Sequence, residues 1–590
     1  MATKPRQGAT AVQGAPARPG APATPGATAT PGATAEGPQQ LSACADELLG
    51  LLRADDPDPR VIEDFCPLHE CLEWALLRAY YDQAGAGAFT GGDVPFAATS
   101  SGQLSEDAAA ILFASLETAP SSDEPIRCLE LGPGSGLFAK LLLDDLRRRC
   151  REHRRNYYDR ITLVLADSSS AMLEAIAATS LLAEHEGHYE LVHSDQPPAR
   201  SEEGLRAVFL NYVLDSLPAS VVRRTDTGIE HVCVRTCLAP DIALESYTSL
   251  SLTQVMELAS APEETSKRRL AEIYPALVVD VRYEPVLPDE LPLGGALEGI
   301  LPAAAGESVV HGHGAIACLH TCAERLTPGG FLLVNDFAYS RRDPSAPERS
   351  PYQVYGGALA IGLNFAQLER EADRWPDISV HAPGADEKLV SRLIGRDLDR
   401  ATATSFAERF DPARLQARRA PRERAHRLID EQRSGAARAA LAEALSLSPG
   451  DWTLHEEAAS FLAYVAKDRD AARTLACRGL ELNPLAPGLW NVLGDCELHA
   501  RRPRQALECF EHAVQHNPRE VRGRYNAAYA LTALRDPDGA LRMIAEALAL
   551  DDGSYRERIL AKQARILERI ARRREGDKDR IRDRARPWSS

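Results

Sequence analysis

The sequence predicts an α/β domain, built on a mostly parallel sheet with helices on both faces, followed by an all-α solenoid of helical repeats. Two patterns carry that reading. From about residue 125, short apolar runs alternate with amphipathic stretches, as strand–helix–strand units require. From about residue 418 the chain repeats with a period of 34–35 residues, as stacked helical hairpins do. Charge divides along the same line. Residues 1–400 carry 34 Lys and Arg against 57 Asp and Glu, and residues 401–590 carry 34 against 28. The net charge of −17 thus joins an acidic part to a mildly basic one, which suggests modules with different tasks.

Several classes are excluded at once. An apolar content of 44% rules out full-length disorder. No run approaches the ~18 apolar residues of a membrane helix, so no membrane span is expected. The beginning MATKPRQGATAVQGAPARPG lacks the apolar run of a secretory signal. Twelve irregularly spaced cysteines fit a reducing compartment, so the expected location is cytoplasmic. An acidic α/β half would repel phosphates, so no nucleic-acid partner is expected.

In order along the chain, residues 1–40 are an Ala/Pro/Gly/Thr tract with almost no large apolar side chains, expected to be a disordered tail. Residues 41–400 form the expected α/β domain. It opens on helical patterns, ACADELLGLLRA and HECLEWALLRAYYDQAG. Its strand candidates are IRCLEL (126–131), ITLVLAD (161–167), YELVHSD (189–195), LRAVFLN (205–211) and GFLLVND (330–336). LFAKLLLDDLRRRCREH and AMLEAIAATSLLAEHE are the helices between the first three. The gap between the fourth and fifth runs exceeds any simple crossover, so an insertion is placed at about 219–310.

Residues 418–570 carry the repeats, with a charged tail at 571–590. Pro449, Pro484 and Pro518 keep the period, and Asp552 continues it. In LWNVLGDCELHARRPRQALECFEHAVQHNP, the residues Trp490, Leu493, Gly494, Ala506, Phe510, Ala513 and Pro518 occupy the positions of a tetratricopeptide repeat (TPR). The small residues let paired helices approach, and Trp490 and Phe510 fill the space between them. The next unit keeps Ala527, Ala528, Leu531, Ala540, Ile544 and Ala547. The concave face of such a solenoid is by default a protein- or peptide-binding surface.

The chemistry-bearing motif is LELGPGSG, with Glu130, Gly132, Gly134 and Gly136 at the end of the first strand candidate. Glycines there let the backbone turn tightly and approach a ligand at a helix N-terminus. A dinucleotide site is the competing reading. Against it, Glu130 sits two before the first glycine, where it suits a cationic amine, and the last two glycines are two apart rather than three. Asp167 ends the second strand, where a carboxylate can accept both ribose hydroxyls, and Asp195 ends the third, within reach of an adenine amine.

This constellation resembles the class I S-adenosylmethionine-dependent methyltransferases, which have a Rossmann-like fold. The resemblance implies that Glu130, Gly132, Gly134 and Gly136 line the methionine end of S-adenosyl-L-methionine, that Asp167, with Ser168 beside it, holds the ribose, and that Asp195 lies near the adenine. A cofactor-free fold of the same kind is the alternative. Further along, LNYVLDSLPASVVRR (210–224) resembles the N-E-x-x-D-A-L-P segment of the MidA family, which includes the mitochondrial complex I arginine methyltransferase. YYDQAGAGAFTGGDVPFAATSSG (80–102) and LTPGGFLLVNDFAYS (326–340), with Asp336, are similar to that family's flanking segments. The resemblance covers roughly residues 60–345. It departs at Tyr212 (glutamate expected), Phe337 (tyrosine), Ala338 (glycine) and Val94 (phenylalanine), all on the substrate side.

Asn211 and Asp215, at the end of the fourth strand, are the candidates to orient an amine or guanidinium acceptor; for Asp215, capping of the following turn is the competing role. Attachment of repeats suggests a protein substrate, arginine or another nitrogen, recruited by the solenoid. Two other functions stay open: a TPR scaffold with a degenerate methyltransferase domain, and a small-molecule methyltransferase. No metal site is expected. Cys318 and Cys322 share one helix face and read as packing, as do Cys233 and Cys237 without matched partners. His311 and His313 fit a Gly-rich loop before a helix. The basic run 571–587 reads as a solvated helix end or tail.

Overall fold

Seven strands make the central sheet: β1 (Ile126–Leu131), β2 (Ile161–Asp167), β3 (Tyr189–His193), β4 (Leu205–Asn211), β5 (Leu326–Phe337), β6 (Ile378–His381) and β7 (Leu389–Arg396). The computed structural model describes residues 60–584 except 86–88, 90–99, 120–122, 195–203, 240–241, 262–265, 268, 303–305, 339–352, 356–357, 385–388 and 552. The tail at 1–40, the pattern at 43–54, Val94, Asp195 and Asp552 lie outside the described residues.

The strand order is β6-β7-β5-β4-β1-β2-β3. The first five strands pair in parallel, while β7 runs antiparallel between β5 and β6. The sheet is therefore mixed. Its central strands read as near-continuous apolar runs because both faces are covered. On one face Phe138 and Leu142, from helix Leu137–His153, meet Phe209 and Phe331 of the sheet and Ile111 of helix Gln103–Thr118. On the other, Ile316, Leu319 and Leu368 from helices His313–Glu324 and Phe365–Ala372 meet Leu332. Cys318 and Cys322 are buried in this second layer.

Between β4 and β5 the chain builds a second, antiparallel sheet from Ser220–Arg224, Ile229–Leu238, Leu277–Val286 and Ser308–His311, joined by Val61–Pro67 from the beginning of the described chain. Val221, Val232, Val234 and Val310 make its inner face, against Leu68 and Trp74. Trp74 belongs to helix Leu72–Ala84, so this sheet fixes a helix that reaches the cavity described below. Among the described residues no group of three or more His, Cys, Asp or Glu could hold a metal ion. His311 is committed on both ring nitrogens, to Pro292 O (2.7 Å) and the Gln367 amide (2.8 Å). No described helix is long and apolar enough to cross a membrane.

From Pro412 the described residues form helices joined by turns: Pro412–Asp430 with Ser434–Leu447, Trp452–Tyr464 with Arg469–Leu482, Pro487–His499 with Pro503–His516, Val521–Ala533 with Pro537–Leu550, and Arg556–Arg584. Pro449, Pro484 and Pro518 each stand two residues beyond a helix end, where a residue without an N–H cannot continue the helix. Ala506, Phe510 and Ala513 have no exposed surface. A Cβ on Gly494 would lie 2.5 Å from Phe510 Cε1, so only glycine lets that pair of helices close over the ring. Trp490 is half-buried between the paired helices: it donates to Pro484 O (2.7 Å) and stacks on His512 of helix Pro503–His516 at 4.4 Å. Of the basic run at 571–587, residues 571–584 continue helix Arg556–Arg584, and 585–587 lie outside the described residues.

Candidate active site

A cavity of about 380 Å³ opens at the C-terminal ends of β1–β4, and Glu130, Asp167, His193 and Asn211 all line it. That edge is where an open α/β sheet presents its ligand crevice, because the strand ends diverge there and the following loops are free to vary. The loop after β1 forms the floor. Gly132 N–H donates to Ala166 O (2.9 Å), tying the loop to β2, and Gly136 N–H donates to Pro133 O (2.9 Å), turning the chain into helix Leu137–His153. Gly132 and Gly134 have φ of +68° and +54°. Side chains there would be strained, and they would also be crowded: a Cβ on Gly134 would lie 3.0 Å from Phe89 Cζ, and one on Gly132 3.1 Å from Val213 Cγ2. Gly136, with φ +78°, is the N-cap of that helix.

Three carboxyls line the cavity: Glu130, Asp167 and, from helix Leu72–Ala84, Asp82. Glu130 is 2% exposed, and its Oε2 has no hydrogen-bond partner among the described residues. Burial, with the neighbouring Asp167 charge adding to it, pushes its carboxyl well above the usual range. Asp167 accepts from Ser169 N–H (2.8 Å). Burial raises it to about 6, against lowering by the backbone N–H groups of Ser169 and Ser168 and by His193; Asp82 raises it further. Ser168 lines the cavity, and its carbonyl contacts His193 Nε2 at 2.9 Å.

Of the two acceptor-side candidates, the structure brings only Asn211 to the cavity. Its Oδ1 accepts from Asn335 Nδ2 (2.9 Å), whose own Oδ1 accepts from Ser391 Oγ (2.7 Å), and its Nδ2 has no partner among the described residues. Asp215 is placed differently. It is buried behind the wall, outside the cavity lining, and its backbone N–H donates to Asp336 Oδ2 (3.2 Å). The carboxylate that holds this turn is Asp336, fully buried, which also accepts from Leu214 N–H (3.1 Å) and Phe337 N–H (2.8 Å). Burial and mutual repulsion push the Asp215–Asp336 pair upward together.

The departures Tyr212 and Phe337 form one packed unit: their rings lie 4.8 Å apart, and Tyr212 lines the cavity with φ +53°. Sequence reasoning missed the far wall, formed by Trp74, Leu77 and Tyr81 of helix Leu72–Ala84 together with Phe89. The aromatic content of HECLEWALLRAYYDQAG was visible, but a helical pattern does not say which sheet edge the helix faces.

Residues 109–357 match the family described as "Putative S-adenosyl-L-methionine-dependent methyltransferase". The match supports methyltransferase activity in general, and the cofactor is S-adenosyl-L-methionine. No curated protein matches the sequence. Among solved structures, the chain is similar to an uncharacterised protein from Burkholderia thailandensis, with 16% identity over 63% of this chain and 97% of that one (TM-score 0.37). It is similar to a second Burkholderia thailandensis structure bound to S-adenosyl-homocysteine, with 16% identity over 62% and 96% (TM-score 0.38). A TPR protein of Thermus thermophilus shares 20% identity over 26% of this chain and 84% of that one (TM-score 0.24).

The residues present fit that cofactor. An unpartnered buried carboxyl such as Glu130 Oε2 is costly unless a cation or donor meets it, and the cofactor's ammonium is both. The glycine cradle leaves room for a backbone-hugging ligand, and the Asp167 carboxyl at the cavity has the acceptor chemistry that hydroxyl donors need.

Proposed function

We propose that this chain is a methyltransferase of Rossmann-like fold acting on a protein side-chain nitrogen, arginine being the first candidate as in the MidA and complex I arginine methyltransferase family, with a TPR solenoid holding the partner. The single observation that supports it most is the convergence of Glu130, the three-glycine loop, Asp167 and Asn211 on one cavity. The cofactor supplies an electrophilic methyl on a sulfonium, so the protein's work is alignment and charge placement rather than acid–base chemistry. Glu130 and the glycine loop hold the amino-acid end, and Asp167 and Ser168 hold the ribose. Asn211, locked through Asn335 and Ser391, orients the acceptor. Asp215 acts at one remove, by fixing with Asp336 the turn that carries Tyr212. Trp74, Tyr81, Phe89 and Tyr212 give the acceptor an apolar, water-excluding wall.

Calorimetry with S-adenosyl-L-methionine, followed by methylation of candidate proteins from cells lacking this chain, tests the reading. Binding that is abolished by Asp167→Ala, with transfer to a protein nitrogen, supports it. Absence of binding supports the scaffold reading, which the paired Tyr212 and Phe337 substitutions favour. Transfer only to small molecules supports the third.

A further inference from the structure

The C-terminal helices do not hang from the α/β domain as a separate arm. Leu137 and Leu141, on the helix that the glycine loop opens, share one buried cluster with Leu181 and with Trp452, Leu485 and Leu489 of the repeats. On the same helix Lys140 Nζ donates to the carbonyls of Glu481 (2.8 Å) and Leu482 (3.2 Å), closing the end of helix Arg469–Leu482. Nearby, Asp107, 2% exposed, is ion-paired with Arg409 and Arg418, both at 3.2 Å.

The contact reaches the cavity itself. Ser100 lines it, and the carbonyl of Ser100 accepts from the Trp452 indole Nε1–H at 2.6 Å. Ser101 O accepts from Trp452 N–H at 3.1 Å. The following residue, Gly102, has φ +104°, and a Cβ there would overlap the Gly450 carbonyl oxygen. Two hydrogen bonds and a glycine-only approach therefore pin 100–102 to the turn that starts helix Trp452–Tyr464.

We propose that the repeat region is a structural part of the cofactor site, with Trp452 as a positioning residue that fixes Ser100 in the cavity wall, so that cofactor occupancy and order at the Gly450–Trp452 turn are thermodynamically linked. The inference rests on the cavity being the cofactor site. Linkage is reciprocal: whatever steadies 100–102 for the ligand steadies the repeat turn, and a macromolecule docked on the repeats feeds back on cofactor affinity. The solenoid is then a sensor as well as a holder.

Hydrogen exchange on the full chain, with and without saturating S-adenosyl-homocysteine, tests this in the wild-type protein. Added protection at the Trp452 amide is expected, with none in the last repeats; protection confined to residues before 400 overturns the proposal. Trp452→Phe keeps the apolar packing and removes the indole donor. It should weaken S-adenosyl-homocysteine binding about three- to tenfold, the size of one lost neutral hydrogen bond, with a melting temperature lowered by only a few degrees because the same bond is lost from the ligand-free chain. Equal affinity in the variant overturns the positioning role. If the wild-type chain itself fails to bind, the functional reading falls instead.

Discussion

Lowering the pH from 7 to 5 should weaken S-adenosyl-homocysteine binding, with Asp167 alone contributing about a tenfold loss. Burial holds the Asp167 carboxyl at about 6, above its usual value. The group is then about nine-tenths protonated at pH 5 and about one-tenth at pH 7. Hydrogen-bond donors on the ligand favour the ionised form, so binding takes up the carboxylate and releases the proton. The sign is fixed: the Asp167 share of the affinity rises with pH through about 6 and levels off above it. The groups facing Asp167 are Glu130, Asp82, the Ser168 and Ser169 amides and His193. Glu130, held further up, adds a slope of the same sign, so the informative comparison is with Asp167→Asn. Isothermal titration at pH 5, 6 and 7 should show a wild-type affinity ratio about tenfold larger than the variant's. Identical pH dependence in the two proteins would refute the assignment of Asp167 to the ligand.

Three further outcomes follow from the packing. Asp336→Ala strips the acceptor from the buried N–H groups of Leu214 and Asp215 and should cost about 2–4 kcal/mol in urea unfolding; a loss below ~1 kcal/mol contradicts its role in that turn. Glu73 is 5% exposed and burial lifts its carboxyl to about 8, so the folded state binds its proton more tightly and loses stability as pH rises from the ordinary glutamate value toward 8. Glu73→Gln should therefore raise the melting temperature at pH 8 more than at pH 5, and an equal shift at both contradicts the burial argument. Gly494→Val drives a branched side chain into Phe510 and should destabilise the repeats by about 1–3 kcal/mol; unchanged thermal unfolding would show that the helix pair can open without cost.

Much of the fold is legible in local pattern. The runs at 126–131, 161–167 and 205–211 and the helix at 137–153 appear as read, because strands buried on both faces and a helix with one apolar side each carry their own periodicity. The helix expected over 171–186 stops at Ala178: Thr179 caps it, and Ser180 follows with φ +54°. Strands Ile378–His381 and Leu389–Arg396 went unread. Short edge and antiparallel segments gain their stability from a neighbour rather than from their own pattern.

The site divides in the same way. Glycine spacing and the carboxylates at the ends of β1 and β2 are local signals, since the backbone conformation they serve spans only a few residues. That Asn211 faces the cavity while Asp215, four residues on, lies behind it depends on Asp336, more than a hundred residues away, claiming that turn. The aromatic wall likewise depends on where the second sheet sets helix Leu72–Ala84. The sequence by itself determined two modules, the glycine loop and the repeat period, because each is encoded within one or two elements. Only the tertiary structure decided that the modules share a core through Leu137, Leu141 and Trp452, because contacts between distant segments leave no periodicity to read.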